Sequence, residues 1–189
     1  MRKTQFAKTQ SYEKDPYNTW PGKRSSPIHE INFNLFNDVA LKIISSYYTN
    51  HTFSYNCGLY FQKVSNIYKD GWIHQDNCIL SFIIYLNNKN ITDSGTSFYV
   101  PKSTSIRTDY YDKKRESFKD TSNLDKYKEY RLKNNSQFEK TLTVHNIFNR
   151  CVIFDARVHH KADNLHLVSD DEDRVTLVGF VYKLDVTPN

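Results

Sequence analysis

The 189-residue sequence contains few cysteines and no long apolar segment. Cys57, Cys78 and Cys151 are far apart and form no Cys-x-x-Cys pair, so they indicate neither a disulfide framework nor a zinc site. No apolar run approaches the roughly 20 residues that a membrane-spanning helix needs. The N-terminal residues also lack the apolar stretch of a signal peptide. These absences predict a soluble, cytoplasmic protein without membrane contact.

Aromatic residues are abundant, with 14 Tyr and 12 Phe, and they predict a core rich in aromatic side chains. The net charge of +5 is concentrated in one segment, because residues 101–140 carry 11 Lys and Arg against 7 Asp and Glu. Two interpretations of this segment stay open: a solvated surface loop, or a surface that steers an acidic partner. The richness in Asn, Lys, Tyr and Ile suggests an AT-rich genome, such as that of a virus or a small bacterium.

The order of the predicted elements indicates a mainly β fold. Apolar residues recur at helical spacing between residues 34 and 48, and Asn34 or Asn37 is expected to cap this helix. Alternating or continuously apolar runs predict strands at residues 53–64, 79–86, 96–100, 141–148, 151–156 and 174–184. Strands that follow a front helix favour an antiparallel barrel or sandwich. We therefore expect a single domain: residues 1–52 form an N-terminal extension with a supporting helix, and residues 53–189 form the β core.

The segment GWIHQDNCILSFIIYLNN, residues 71–88, contains a His-x-Asp pair directly before an apolar strand. His74 and Asp76 are two residues apart, so their side chains project from the same side of an extended chain. A third ligand from another strand would complete a set of two imidazoles and one carboxylate, which suits non-haem Fe(II) and leaves three coordination positions open. His159 and His160 follow the apolar strand at 151–154. Since neighbouring residues in a strand face opposite ways, only one of them can join the pair.

The sequence resembles the Fe(II)/2-oxoglutarate-dependent oxygenases, and most closely their prolyl-4-hydroxylase-like branch. The resemblance covers about residues 55 to 184, and its segments follow the family's order: WIHQDN, FIIYLNN, GTSFY, NRCVIFDARVHH and RVTLVGF. It implies a double-stranded β-helix, which is a cupin-like jelly roll, with supporting N-terminal helices. It also implies that His74, Asp76 and His160 hold Fe(II). His160 is preferred to His159 because the family's strand ends in a phrase whose last residue matches His160.

The resemblance also implies a cosubstrate site. Arg174 would pair with the distal carboxylate of 2-oxoglutarate, Tyr85 would hydrogen-bond the same carboxylate, and Thr176 would assist. A carboxylate favours Arg over Lys, because the guanidinium is permanently charged and can donate two parallel hydrogen bonds. Arg174 and Thr176 lie on the same face of a strand, so both can reach one ligand. The alternatives are a surface ion pair for Arg174, which follows four acidic residues, and an ordinary core position for Tyr85.

The implied activity is that of a dioxygenase that uses 2-oxoglutarate and O2, releases succinate and CO2, and hydroxylates a carbon atom. The expected substrate is a side chain of a protein or peptide, proline foremost, and the alternative is a free amino acid or another small molecule. Nucleic acid is not expected, because dealkylating relatives carry a second arginine where this sequence has Phe180. A jelly-roll binding protein with a remnant metal site is the non-catalytic alternative. The sequence does not predict the oligomeric state.

Residues 101–140 interrupt the strand pattern with a long, charged, tyrosine-rich insertion. Long connections of this kind inside a β domain are commonly functional lids or disordered excursions. A capping box at residues 122–125 predicts a short helix over residues 123–133. We expect the insertion to overhang the iron site and bind substrate through Tyr110, Tyr111, Lys113 and Arg115, without affecting the metal ligands on the strands. The alternative is a surface loop without a role.

Overall fold

The computed structural model describes residues 22–64, 70–104, 113, 115, 124–165 and 173–188, which form a mainly β fold. The helices are α1 (Ile28–Ile31), α2 (Phe33–Tyr47) and α3 (Leu124–Asn135). The strands are β1 (Gly22–Arg24), β2 (His51–Val64), β3 (Leu80–Tyr85), β4 (Ile91–Pro101), β5 (Phe138–Asn146), β6 (Cys151–Asp155), β7 (His159–Asp163) and β8 (Arg174–Pro188). None of the helices in these ranges is long and apolar enough to cross a membrane.

The strands form two antiparallel sheets. The larger sheet has the order β1-β2-β8-β3-β6, and the smaller has the order β5-β4-β7. The prediction of a mainly β fold with antiparallel strands is confirmed, and each predicted run lies on a strand. Strand β1 was not predicted, and His159 and His160 were expected at the end of the strand that begins at Cys151, whereas they lie in the separate strand β7. The sequence of β7, HHKAD, has no apolar alternation that could have indicated a strand.

Helix α2 agrees with the predicted helix except at its start. The helix begins at Phe33, and its cap is Asn32, whose Oδ1 accepts a hydrogen bond from the Leu35 N–H at 3.0 Å. This bond satisfies one of the N–H groups that every helix start leaves without a partner. The prediction that Asn34 or Asn37 caps the helix was wrong, because apolar periodicity locates a helix without defining its first turn.

Helix α2 packs against one face of the larger sheet. Its Ala40 and Ile43 belong to a buried cluster that also contains Leu59 of β2, Phe82 of β3 and Val181 of β8. Because side chains alternate along a strand, the intervening residues of β8 point to the opposite face of the sheet. Residues of that second face share a cavity with residues of the smaller sheet.

A cavity of about 460 Å³, including the space open at its mouth, lies between the two sheets. The larger sheet contributes Thr176 and Val178 of β8 to its walls. The smaller sheet contributes Thr96 of β4 and His160 and Ala162 of β7. The fold thus directs selected residues of both sheets into one shared space.

A close cross-strand contact gives the first prediction. Phe82 of β3 pairs with Gly179 of β8, and a Cβ at position 179 would overlap the Phe82 ring, which is only 1% exposed. We expect Gly179→Ala to lower the free energy of unfolding by about 1–3 kcal/mol, because the buried ring or the paired strands must shift to accommodate the methyl group. The measurement is urea unfolding. The control is Gly58→Ala, whose Cβ would meet the half-buried Tyr60 ring, which can shift. Equal losses in the two variants would contradict this account.

Candidate metal centre

The backbone brings His74 and Asp76 next to β7. His74 and His160 exchange two backbone hydrogen bonds, with His74 N–H donating to His160 O at 3.0 Å and His160 N–H donating to His74 O at 2.9 Å. The Asp76 N–H donates to Ala156 O at 2.9 Å, in the turn before β7. The segment between β2 and β3 is therefore held along the edge of the smaller sheet, and its polar side chains face those of β7.

The three side chains that the sequence predicted as metal ligands lie together. His74 Nε2 is 3.4 Å from Asp76 Oδ1, and His160 Nε2 is 3.4 Å from Asp76 Oδ2. One potential ligand atom from each residue lies within 4.8 Å of the others. Two imidazoles and one carboxylate on one side of a cavity form the kind of donor set that holds a divalent transition metal.

Neighbouring groups orient each of the three side chains. His74 Nδ1 lies 2.7 Å from Trp72 O, and His160 Nδ1 lies 2.9 Å from Val158 O. A carbonyl oxygen can only accept, so each Nδ1 carries the proton and each Nε2 keeps a lone pair for a metal. The Ser81 hydroxyl donates to Asp76 Oδ2 at 2.6 Å. The directions of the three donor groups are thus set by contacts within the chain itself.

The electrostatics of the site keep these groups in their metal-binding forms. Burial lowers the pKa of His74 to about 4, and the neighbouring Arg115 and His160 side chains act in the same direction. Burial alone would raise the pKa of Asp76, but the adjacent imidazoles of His160 and His74 outweigh it and hold that pKa well below its usual range. At neutral pH His74 is therefore neutral and Asp76 ionised, as metal binding requires.

The structure separates His159 from His160. His160 is 5% exposed and faces the cavity with His74 and Asp76. The His159 ring faces the other side of β7 and packs against Phe138 with 4.8 Å between the ring centroids. The alternation of side chains along β7 places only His160 in the group, in agreement with the register expected from the sequence.

The residues predicted to bind 2-oxoglutarate also lie together. Arg174 and Thr176 line the cavity, and they are 3% and 1% exposed. The Arg174 guanidinium lies 5.3 Å from the centroid of the Tyr85 ring. The Tyr85 hydroxyl is 2.8 Å from Thr96 Oγ1 and 3.2 Å from Val144 O. Tyr85 is fully buried, so its hydroxyl belongs to the network around Arg174 and not to the surface.

Arg174 is buried among neutral acceptors. Its Nη1 donates to Gly95 O at 2.9 Å and its Nη2 to Thr96 Oγ1 at 3.3 Å, and burial lowers its pKa. In the part of the chain that the structure describes, its Nε and the Thr176 Oγ1 have no hydrogen-bond partner, and no carboxylate forms an ion pair with it. Because Arg174 is only 3% exposed, the interpretation that it occupies a surface position was wrong.

Two polar residues near the site were not identified from the sequence. Thr96 is fully buried and contacts both Tyr85 and Arg174, and Ser81 holds the Asp76 carboxylate. Thr96 lies in the quoted segment GTSFY, where alternation along β4 could have indicated that it faces inward. Ser81 is five residues beyond Asp76, and no local spacing rule relates them.

The predicted substrate residues are only partly described. Tyr110 and Tyr111 lie outside the described residues. Lys113 is exposed and Arg115 is half-buried. Within the described ranges the Arg115 Nε is buried without a hydrogen-bond partner, and its charge acts on His74. Helix α3 confirms the helix predicted in the insertion and lies against residues 71–73, on the side away from β7.

The burial of His74 gives a prediction for the metal-free protein. Its pKa falls from 6.5 to about 4 on folding, so between these values the unfolded chain binds more protons than the folded chain. The free energy of unfolding should therefore be lost as pH falls through this window, by up to about 3 kcal/mol. Urea unfolding in the presence of a chelator at pH 4.5 and pH 7 measures this loss. His74→Gln should flatten the dependence, and an unchanged slope would contradict the assignment.

Comparison with known proteins gives a family without a known activity. No curated protein matches the chain. A family model described as a family of unknown function, DUF6445, matches residues 2–180. Because this match spans nearly the whole sequence, the chain belongs to the DUF6445 family.

Proposed function

We propose that this protein is an Fe(II)- and 2-oxoglutarate-dependent dioxygenase whose two antiparallel sheets form a cupin-like jelly roll. The proposal rests on the set of residues that line one cavity. Its walls include the His74, Asp76 and His160 group and also Arg174, a buried cation without a carboxylate partner in the described residues. Burying an unpaired charge costs several kcal/mol, so a ligand that supplies the missing negative charge would be strongly favoured.

The donor set supports Fe(II) as the metal. His74, Asp76 and His160 offer two imidazole nitrogens and one carboxylate from one side of the cavity, which is the facial arrangement found in non-haem Fe(II) oxygenases. Described residues supply no fourth His, Cys, Asp or Glu to this group, and open positions on the metal are what binding of cosubstrate and O2 requires. The hydrogen bonds to Trp72 O and Val158 O support the role by fixing both imidazoles.

The second half of the cavity supports 2-oxoglutarate as cosubstrate. A dicarboxylate can bind a metal through its 2-oxo acid end and still present a carboxylate to Arg174. Arg174 Nε and Thr176 Oγ1 are the buried groups available for that carboxylate. Tyr85 and Thr96 then act behind Arg174, because they contact its guanidinium through a ring face and a hydroxyl oxygen.

The chain's own contribution to such a reaction is binding, orientation and exclusion of water. When bound, Fe(II) with 2-oxoglutarate and O2 supplies the oxidising power that hydroxylates a carbon atom. Ser81 holds the Asp76 carboxylate, and the apolar side chains of Ile83, Phe154 and Val178 line the same cavity. These apolar walls limit the access of water, which would otherwise weaken the electrostatic contacts of the site.

The surroundings of the cavity favour a protein or peptide substrate. Phe180 lines the cavity, and the Arg24 guanidinium lies 5.0 Å from its ring centroid and 5.8 Å from that of Tyr60. Flat aromatic surfaces of this kind suit an extended peptide, including one that contains proline. Hydroxylation of a free amino acid or another small molecule is the alternative. Assays of succinate release with peptide, amino-acid and oligonucleotide panels distinguish these classes of substrate.

The metal site predicts opposite results for two adjacent histidines. His160→Ala should weaken binding of Fe(II), or of Mn(II) as a redox-stable substitute, by at least about 100-fold, because it removes a ligand. His159→Ala is the matched control and should bind the metal as the wild type does, since its ring packs against Phe138. Isothermal titration and metal analysis measure both variants. If His159→Ala lost the metal and His160→Ala kept it, His159 would be the ligand and the assignment of His160 would be wrong.

The cosubstrate site predicts a selective effect of Arg174. Arg174→Ala should weaken 2-oxoglutarate binding by about 2–5 kcal/mol, or tens- to thousands-fold, because the distal carboxylate would be buried without a partner. Metal binding should persist, and pyruvate, which lacks that carboxylate, should replace 2-oxoglutarate poorly. Arg157→Ala, in a side chain that is 82% exposed, is the control. Unchanged 2-oxoglutarate binding in Arg174→Ala would remove the basis of the proposal.

A further inference from the structure

Residues 71–73, which lead into His74, run beside strand β7 of the smaller sheet. On one side they follow β7, where the Gly71 N–H donates to Ala162 O at 2.9 Å and His74 pairs with His160. On the other side no strand follows in the described part of the chain, and the backbone meets the C-terminal end of helix α3. The position of His74 therefore depends on how this second side is held.

Two asparagines of α3 occupy that side. Asn135 Oδ1 accepts from the Ile73 N–H at 2.9 Å, and Asn135 Nδ2 donates to Gly71 O at 3.0 Å. Asn134 Nδ2 donates to Ile73 O at 2.9 Å and lies 3.2 Å from Asn135 Oδ1. These side chains bond to the backbone as a neighbouring strand would, and Asn135 bridges the residues on both sides of Trp72.

Trp72 connects this contact to the metal site. Its carbonyl oxygen is the group that lies 2.7 Å from His74 Nδ1 and sets the direction of the His74 ring. Asn135 holds the residue before Trp72 and the residue after it, so it limits rotation of the peptide that carries this carbonyl. Loss of the Asn135 side chain would therefore free the peptide that carries the Trp72 carbonyl, and the His74 ring would lose its fixed direction.

The composition of α3 supports a specific role for these asparagines. Among residues 125–135 of the helix, the buried ones are Tyr127, Arg131 and Asn134, which recur at helical spacing and form one stripe. An ordinary packing helix has apolar residues in such a stripe. Here Arg131 Nη1 donates to Asp70 O at 2.5 Å, and Tyr127 packs against Trp72. Each member of the stripe thus contacts the segment that leads into His74.

We propose that Asn135, supported by Asn134, is a positioning residue for His74, and that the 101–140 insertion thereby helps to build the metal centre. The inference rests on the proposed metal site. It replaces the expectation that metal binding is independent of the insertion, because α3 hydrogen-bonds the backbone directly before a ligand. Apolar packing alone could keep the helix in place, but only directional hydrogen bonds orient the Trp72 carbonyl.

The test compares Asn135→Ala with a matched loss of an asparagine hydrogen bond elsewhere. Asn32→Ala removes the cap of α2, far along the chain from the metal ligands, and serves as the control. Co(II) is the probe metal, followed by its affinity, its visible absorption spectrum and the rise in melting temperature that it causes. We expect Asn135→Ala to bind Co(II) about 10-fold more weakly, with a changed spectrum and a smaller rise in melting temperature. Asn32→Ala should lower the melting temperature of the metal-free and Co(II)-bound forms equally and keep the wild-type affinity.

Two further measurements make the result decisive. In the metal-free protein, 15N NMR of His74 should show one tautomer with the proton on Nδ1 in the wild type and a mixture in Asn135→Ala. Asn135→Asp keeps the acceptor for the Ile73 N–H and loses the donor to Gly71 O, so its Co(II) affinity should be intermediate. If Asn135→Ala does not fold, the Co(II) affinity of Asn135→Asp tests the positioning role instead. An affinity equal to that of the wild type would then overturn it.

The outcomes separate this inference from the proposed function. A wild-type protein that binds no Co(II) would overturn the proposed metal site, while a tautomer change in Asn135→Ala would still support the positioning role. Wild-type Co(II) affinity, spectrum and His74 tautomer in Asn135→Ala would overturn the positioning role and leave the proposed function standing.

Discussion

The candidate site depends on one short backbone pairing, the two hydrogen bonds between His74 and His160. This pairing joins a segment between two strands of the larger sheet to a strand of the smaller sheet. Because the side-chain period of an extended chain is two, its register decides which histidine of β7 faces Asp76. A slip by one residue would turn His159 inward and break the group. Ser81 and Trp72 orient the Asp76 and His74 side chains, and Asn135 holds the backbone before His74. These contacts can form only after the pairing has brought the two segments together.

The buried cations on the two sides of the smaller sheet have different hydrogen-bond partners. On its outer face Lys161 is 7% exposed and is paired with the carboxylates of Asp70 and Asp163. Lys140 completes the cluster with a 2.9 Å contact to Asp163. In the cavity on the inner side, Arg174 is buried to a similar degree with neutral acceptors alone among the described residues. Burial of an uncompensated charge is costly, and this difference between the two faces is why we propose Arg174, and not Lys161, as the anion-binding residue.

Much of the fold could be predicted because most strands have an apolar face. Strands β2, β3 and β8 pack against α2 or line an apolar part of the cavity, so their apolar patterns are visible in the sequence. Strand β7 has no such pattern, because one face carries His160 and the other carries the charged cluster around Lys161. The cap of α2 and the strand β1 were missed for a related reason: both depend on single hydrogen bonds or on pairing with a distant strand, and not on apolar periodicity.

The sequence by itself determined which side chains share a face. The spacing of His74 and Asp76, the adjacency of His159 and His160, and the spacing of Arg174 and Thr176 follow from a backbone geometry that is the same in every strand. Only the tertiary structure decided which of these faces meet. It buried Arg174 against Gly95 and Thr96, brought Ser81 to the site, and set Asn135 behind His74. Those outcomes depend on pairing between segments that are far apart in the chain, and no local pattern of residues encodes such contacts.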